Sequence, residues 1–379
     1  MNVRPASVAA LAAVLLASAA LPIAAGDIIG KITYVDGAVE IVRDEETLDA
    51  KRVKEGLALQ NFDLLVTGAD GEVELQITSP MAPAATVKVA PRTRFSLEIG
   101  KAGGRQQTTV GLMIGSVSLK CAKLSNSQSV RVQTDTALMG VRGTAFTVTA
   151  AASGDILVDC DEGEVACSDE DGNTVPAVPG EVVEKLFEER LSRLPVAVSS
   201  LEQFRRSWSA ERISALKANA GKAIAAFAVR YTSLLAQFNR DFAALLKAQK
   251  TIDRWKEEDR AGRIGTRQEI MAQLKEIGGA LKRLRATLVL FERIYARLLE
   301  LKEYHDQGYG RGTIRYGLAS ETTTQFFARL ERDRGELERK MARIRLVARM
   351  FATRNEGRLP WGGFGGEEEE EDEDSFFGD

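Results

Sequence analysis

Residues 31–42 read Lys31-Ile-Thr-Tyr-Val-Asp-Gly-Ala-Val-Glu-Ile-Val42. Two alternating, β-branched runs flank Asp36-Gly37, a dipeptide that closes tight hairpins because Gly tolerates positive φ. The stretch predicts strand, turn, strand, and the pattern continues to about Lys185. Leu64 to Val66, Ala69-Asp70-Gly71 and Val73 to Ile77 repeat it. Short runs follow at Thr86 to Val89, Phe95 to Ile99, Val110 to Ile114, Val117 to Leu119, Val130 to Gln133, Phe146 to Val148, Ile156 to Val158 and Val165 to Cys167. Turn signals at this density predict an all-β sandwich, roll or solenoid over residues 27–185.

From about Leu201 the period becomes helical. Ile270, Leu274, Ile277, Leu281, Leu284, Leu288, Phe291, Tyr295 and Leu298 alternate spacings of four and three, a heptad seam. Ala261-Gly-Arg-Ile-Gly265 breaks the helix, and Thr266 with Glu269 forms a capping box that restarts it. Glycines at 308, 310, 312 and 317 end that helix, and Ser320 is a suitable N-cap for the next. Helices over about 200–260, 266–306 and 320–355 predict an antiparallel three-helix coiled-coil rod occupying residues 186–360. The chain is therefore read as two domains, β then α.

Residues 1–26, MNVRPASVAALAAVLLASAALPIAAG, have a basic start, a short apolar run and small residues before Asp27. They read as a cleaved signal peptide, which places the protein in the periplasm or cell envelope. Retention of the run as an anchor is the alternative. Export permits disulfides, and Cys160 and Cys167, on either side of a turn, are the candidate pair, with Cys121 left over. Residues 361–379 begin with a Gly/aromatic linker and hold eight consecutive acids, Glu367 to Asp374, a composition that predicts disorder.

The net charge of −3 conceals opposed blocks: −9 over 27–185, +14 over 186–360 and −9 over 361–379. Lys282, Arg283, Arg285, Arg339, Lys340 and Arg343 mark a basic surface on the helices. Outside the cytoplasm its expected partner is a protein or an anionic envelope polymer or lipid headgroup, not nucleic acid. Self-association through the helices is a further expectation.

Thr134-Asp-Thr-Ala-Leu-Met-Gly-Val-Arg-Gly-Thr-Ala-Phe146 resembles the FecR signature V-x-T-P-x-A-x-x-G-V-R-G-T-x-F, with Val130-Arg-Val132 before it. Asp135 stands where the family often has Pro. Gly37, Asn61-x-Asp63, Gly71 and Val158-x-Cys-x-Glu-Gly163 extend the resemblance over about residues 28–185. It implies a FecR-like periplasmic β domain in which Gly140, Val141, Arg142, Gly143, Thr144 and Phe146 have a structural or binding role. Gly140 and Gly143 would permit a sharp turn, and Arg142 would cap carbonyls or pair with an acid inside the β layer.

A single His, His305, excludes a two-His metal site within one chain, and no phosphate loop, dinucleotide fingerprint or nucleophile elbow is present. No catalytic residue, cofactor or metal is expected. The reading is a non-enzymatic envelope binding or scaffolding protein. A membrane-anchored sensor in a FecR-type relay is the alternative, and a hydrolase using carboxylates within Asp159–Asp171 is a weaker one.

Overall fold

The structure is a computed structural model that describes residues 28–142, 145–186 and 189–359. The signal-like run, Gly143, Thr144 and the acidic tail lie outside the described residues. A large β-rich region comes first and a helical region follows.

The strands are β1 (Ile28–Asp36), β2 (Val39–Arg43), β3 (Glu46–Leu48), β4 (Ala58–Gln60), β5 (Leu64–Thr67), β6 (Glu72–Ile77), β7 (Ala85–Val89), β8 (Arg94–Ala102), β9 (Arg105–Cys121), β10 (Gln128–Gln133), β11 (Ala137–Val141), β12 (Ala145–Ala150), β13 (Ile156–Glu162), β14 (Val165–Asp169), β15 (Thr174–Ala177), β16 (Glu181–Lys185) and β17 (Ser192–Pro195). Their pairings trace two layers. One runs β4-β1-β6-β7-β9-β12-β13-β16-β17. The other runs β3-β2-β5-β8-β9-β10-β11-β14-β15. Every pair is antiparallel except β9 with β10. Neither layer closes into a barrel. Alternate residues such as Ile41, Leu75, Phe95, Val110, Val117, Met139, Val148, Val158 and Val165 fill the space between the layers.

β9 joins the layers. Its residues up to Ile114 pair with β8, whereas Gly115 onward pairs with β12. The two runs read separately at 110–114 and 117–119 are thus one strand that changes sheet at Gly115. That residue has φ +97, and a Cβ there would lie 2.4 Å from the Thr93 Cα. Only Gly fits this crossing.

The β region also extends past the expected boundary at 185, because β17 pairs with β16. The helices are α1 (Leu201–Ala218), α2 (Ala220–Leu245), α3 (Gln249–Arg260), α4 (Arg267–Asp306) and α5 (Thr323–Arg354). The long helix expected over 200–260 is broken at Asn219 and by a 3-10 turn at 246–248. Thr266 and Glu269 make the expected capping box. The segment 307–322 holds a hairpin that the glycine count concealed, β18 (Thr313–Tyr316) with β19 (Ala319–Thr322). Consequently α5 is capped by Thr322, not by Ser320.

α4 is antiparallel to α3, with Trp255 donating to Gln273 at 2.7 Å and Thr251 to Glu276 at 2.7 Å. It is also antiparallel to α5, where Tyr295 donates to Glu338 at 3.1 Å. The seam residues from Leu274 to Leu298 are buried in one core with α2 and α5, where Phe291 stacks on Phe238 of α2 with ring centroids 4.5 Å apart. The helical layer does not stand clear of the sandwich. All eight residues Phe291 to Leu298 are buried, so α4 is covered on every side over this part of its C-terminal half. Met113 of β9 and Leu64 of β5 pack on Ala296, while Phe62 packs with Ala348, Ala352 and Leu359. α1 lies on the opposite face, where Leu201 and Trp208 cover Leu157 and Val182. The chain therefore wraps its own sandwich on both sides.

Candidate functional site

Strand alternation decides what the seam contains. On β8, Phe95, Leu97 and Ile99 enter the sandwich core, so Arg94, Ser96 and Glu98 face α4. Arg285 of α4, largely covered, pairs with Glu98, which is buried. Arg297 pairs with Asp135 and is 2% exposed. Arg345 of α5 pairs with Glu292 of α4. At the rim Arg349 pairs with Asp44 at 2.6 Å and Lys256 with Glu45 at 2.5 Å. Burial pushes the Arg293 guanidinium down to about 9, with Asp135 acting against it. It pushes Arg345 down to about 9 as well. The acidic sandwich and the basic helices thus neutralise one another across this seam.

Beside the charged seam the layers part to leave a cleft of about 410 Å³. Its floor is a cross-strand row, Glu40, Val66, Arg94 and Ile114, one residue from each of β2, β5, β8 and β9. Its roof is Ala296 and Leu299 of α4, and Glu300, Glu303 and Asp306 stand at the same wall. Arg92 pairs there with Glu303 at 2.6 Å. Arg94 lies 6.0 Å from the Tyr295 ring centroid. Among the described residues no carboxylate comes within ion-pair distance of it. Burial lowers its pKa, and Glu338 acts on it only through space.

On the other face, Asp159 is 1% exposed beneath α1. Arg205 approaches it at 3.5 Å and donates to Thr147 at 3.3 Å. Neither carboxylate oxygen of Asp159 accepts a hydrogen bond among the described residues. Burial raises its pKa to about 7, partly opposed by Arg205.

The residues singled out in the sequence fall into different places. Val141 and Phe146 are core residues. Gly140 is not in a turn but inside β11, opposite Arg131 and Ala166. Arg142 is exposed and its backbone N–H donates to Glu164 at 2.9 Å, so its side chain is not inside the β layer. Asp135, the departure from the signature, is the partner of Arg297. Of the basic set, Arg285 is taken by Glu98, Lys340 pairs with Glu336 at 2.7 Å, and Arg343 donates to Gln249 at 2.7 Å. Lys282, Arg283 and Arg339 remain exposed.

Cys160 and Cys167 are free and buried, as is Cys121. Cys160 lies on β13 of one layer and Cys167 on β14 of the other. Their thiols approach the backbone carbonyls of Glu162 and Val165 at 3.3 and 3.6 Å. They fill core space, and burial raises both thiols, Cys160 to about 11 and Cys167 to about 12. The acids of 159–171 are likewise divided. Asp159 is under α1, whereas Asp169 accepts from Asn173 at 2.8 Å to close a turn. No group of three or more His, Cys, Asp or Glu among the described residues could hold a metal ion. No helix among them is long and apolar enough to cross a membrane.

Residues 63–166 match the family described as FecR protein. No curated protein matches the chain. Two crystal structures of a candidate anti-sigma factor from Parabacteroides distasonis ATCC 8503 are similar to part of it, each at 14% identity and a TM-score of 0.30. The similarity covers 37% and 36% of this chain and 62% and 61% of the neighbour, less than two thirds of its length. A TM-score of 0.30 does not establish a common fold.

Proposed function

We propose that this chain is an exported, non-enzymatic binding protein of the cell envelope, built from a FecR-type sandwich and a helical clasp. The match over residues 63–166 carries the reading, since that stretch supplies the strands β5, β8 and β9 on which α4 is seated. The heptad seam of α4 supports treating the clasp as an antiparallel coiled coil laid along the sandwich. Part of its positive charge is paired with the chain's own acids, as at Arg285, Arg297 and Arg349. Of the six cations singled out in the sequence, Lys282, Arg283 and Arg339 stay exposed and make no ion pair among the described residues, and we assign them to an acidic protein surface. Capture from envelope extracts by the tagged full chain tests this. A partner retained by wild type and lost when all three are changed to Ala supports the reading. Equal capture by both proteins removes these residues from it. A partner displaced by anionic polymer or vesicles points instead to an envelope polymer or headgroup.

A FecR-type signalling role is the second reading, and the same family match favours it. The N-terminal run would then stay as an anchor. Sequencing the mature N-terminus separates the two, because a chain starting near Gly26 or Asp27 cannot use residues 8–21 to hold a membrane.

A further inference from the structure

The row Glu40, Val66, Arg94, Ile114 places a cation between two apolar neighbours. Adjacent strands are about 4.8 Å apart, so Glu40, two strands away, is roughly 10 Å from Arg94 across the row. That spacing explains why Arg94 has no carboxylate at contact distance among the described residues, whereas Arg285, Arg297, Arg345 and Arg349 each have one. Holding a half-buried, unpaired guanidinium beneath α4 costs stability, and replacing such a charge by an apolar side chain usually recovers it. Arg94 also differs from Arg293 in being half-buried and in lining the 410 Å³ cleft. Cavities of this size and mixed lining hold small molecules.

We infer that this cleft binds a small, singly charged carboxylate, with its oxygens on the Arg94 guanidinium and its apolar body against Val66, Ile114, Ala296 and Leu299. The guanidinium fork matches a carboxylate with two parallel hydrogen bonds. Arg92, Lys302 and Arg334 also line the cleft, but five acids, Glu300, Glu303 and Asp306 among them, outnumber these three, and the negative excess repels a doubly charged phosphate more than a monoanion. The site is independent of the protein partner proposed above, since Lys282, Arg283 and Arg339 do not line it.

The test uses the full chain with butyrate and inorganic phosphate at matched ionic strength. Butyrate should raise the thermal midpoint of wild type in a saturable way, and phosphate should not. Without ligand, Arg94→Met should melt at or above wild type, and its butyrate affinity should fall about tenfold or more. A lower melting point for Arg94→Met would show that Arg94 serves packing, and would overturn the assignment. Phosphate acting where butyrate does not, or an equal butyrate response in both proteins, would overturn it too. A second readout needs no variant: butyrate should protect Arg94 from phenylglyoxal, followed by peptide mass spectrometry. Unchanged modification of Arg94 at saturating butyrate would again count against the site.

Discussion

Asp159 shows how much one side chain's meaning depends on its surroundings. In the sequence it is one acid among seven between 159 and 171, and an exposed acidic turn is the natural reading. In the fold it faces away from the core, since Val158 and Cys160 enter it. α1 then covers that outer face. The groups facing Asp159 are Thr147 of β12, Val182 of β16, Arg205 of α1 and Asp161 on its own strand. A carboxyl whose folded pKa is raised from 3.8 to about 7 binds more protons folded than unfolded between those values. Its contribution to stability is therefore fully present below pH 4, is lost as pH rises to about 7, and changes little beyond. Asp159→Asn should remove this component. Urea unfolding of both proteins from pH 4 to 8 should show the variant gaining on wild type as pH rises. A difference that stays constant across that range would mean Asp159 is ionised throughout. Phe146 was legible as part of a strand, and it lies in the core together with Val141. Arg94 was not legible, because its neighbours Val66 and Ile114 are set by strand register, and no local pattern encodes that.

Among the elements, the strands with strict alternation were plain from sequence, and so was the capping box that starts α4. The failures share a cause. Gly140 reads as a turn, yet β11 runs through it, because pairing partners override local preference; the glycines of 307–317 do end α4 at Asp306, and what they conceal is the short β18–β19 hairpin beyond Gly312. β9 was read as two strands for the related reason that Gly115 interrupts its alternation. That glycine is the point where one strand serves both layers, so its replacement tests the architecture. Gly115→Ala places a side chain at φ +97 and drives its Cβ into the Thr93 backbone. Backbone strain alone costs roughly 1–3 kcal/mol, and the clash adds to it. Chemical denaturation should show a loss of at least that size. A loss under about 0.5 kcal/mol would mean the crossing relaxes around a Cβ, which its contacts do not suggest.

At the scale of the whole molecule, the opposed charges of the two regions are the feature the sequence displayed and the fold explained. The +14 of the helical part invited the search for an external anion. The sandwich of the same chain meets it with acids of its own, and a heptad pattern has no means of reporting that α4 is buried on its outer side as well. Asp135 and Arg297 join the regions, one in the β10–β11 loop and the other in the C-terminal half of α4. Truncating one partner of a buried pair strands the other, at a cost of about 3–5 kcal/mol. Asp135→Ala should therefore destabilise the protein strongly, since Arg297 is 2% exposed and lies against Phe227 at 5.2 Å. Asp135→Ala with Arg297→Met should recover most of the loss, as both charges are then gone. The seam is shared, so the helical and β parts should unfold together. Fluorescence of Trp208 and Trp255, which sit in the helices, and far-ultraviolet dichroism of the whole chain should give one midpoint in wild type and in both variants. Two separated transitions would show that the sandwich and its clasp hold themselves together independently, and that the seam pairs set their orientation without supporting either fold.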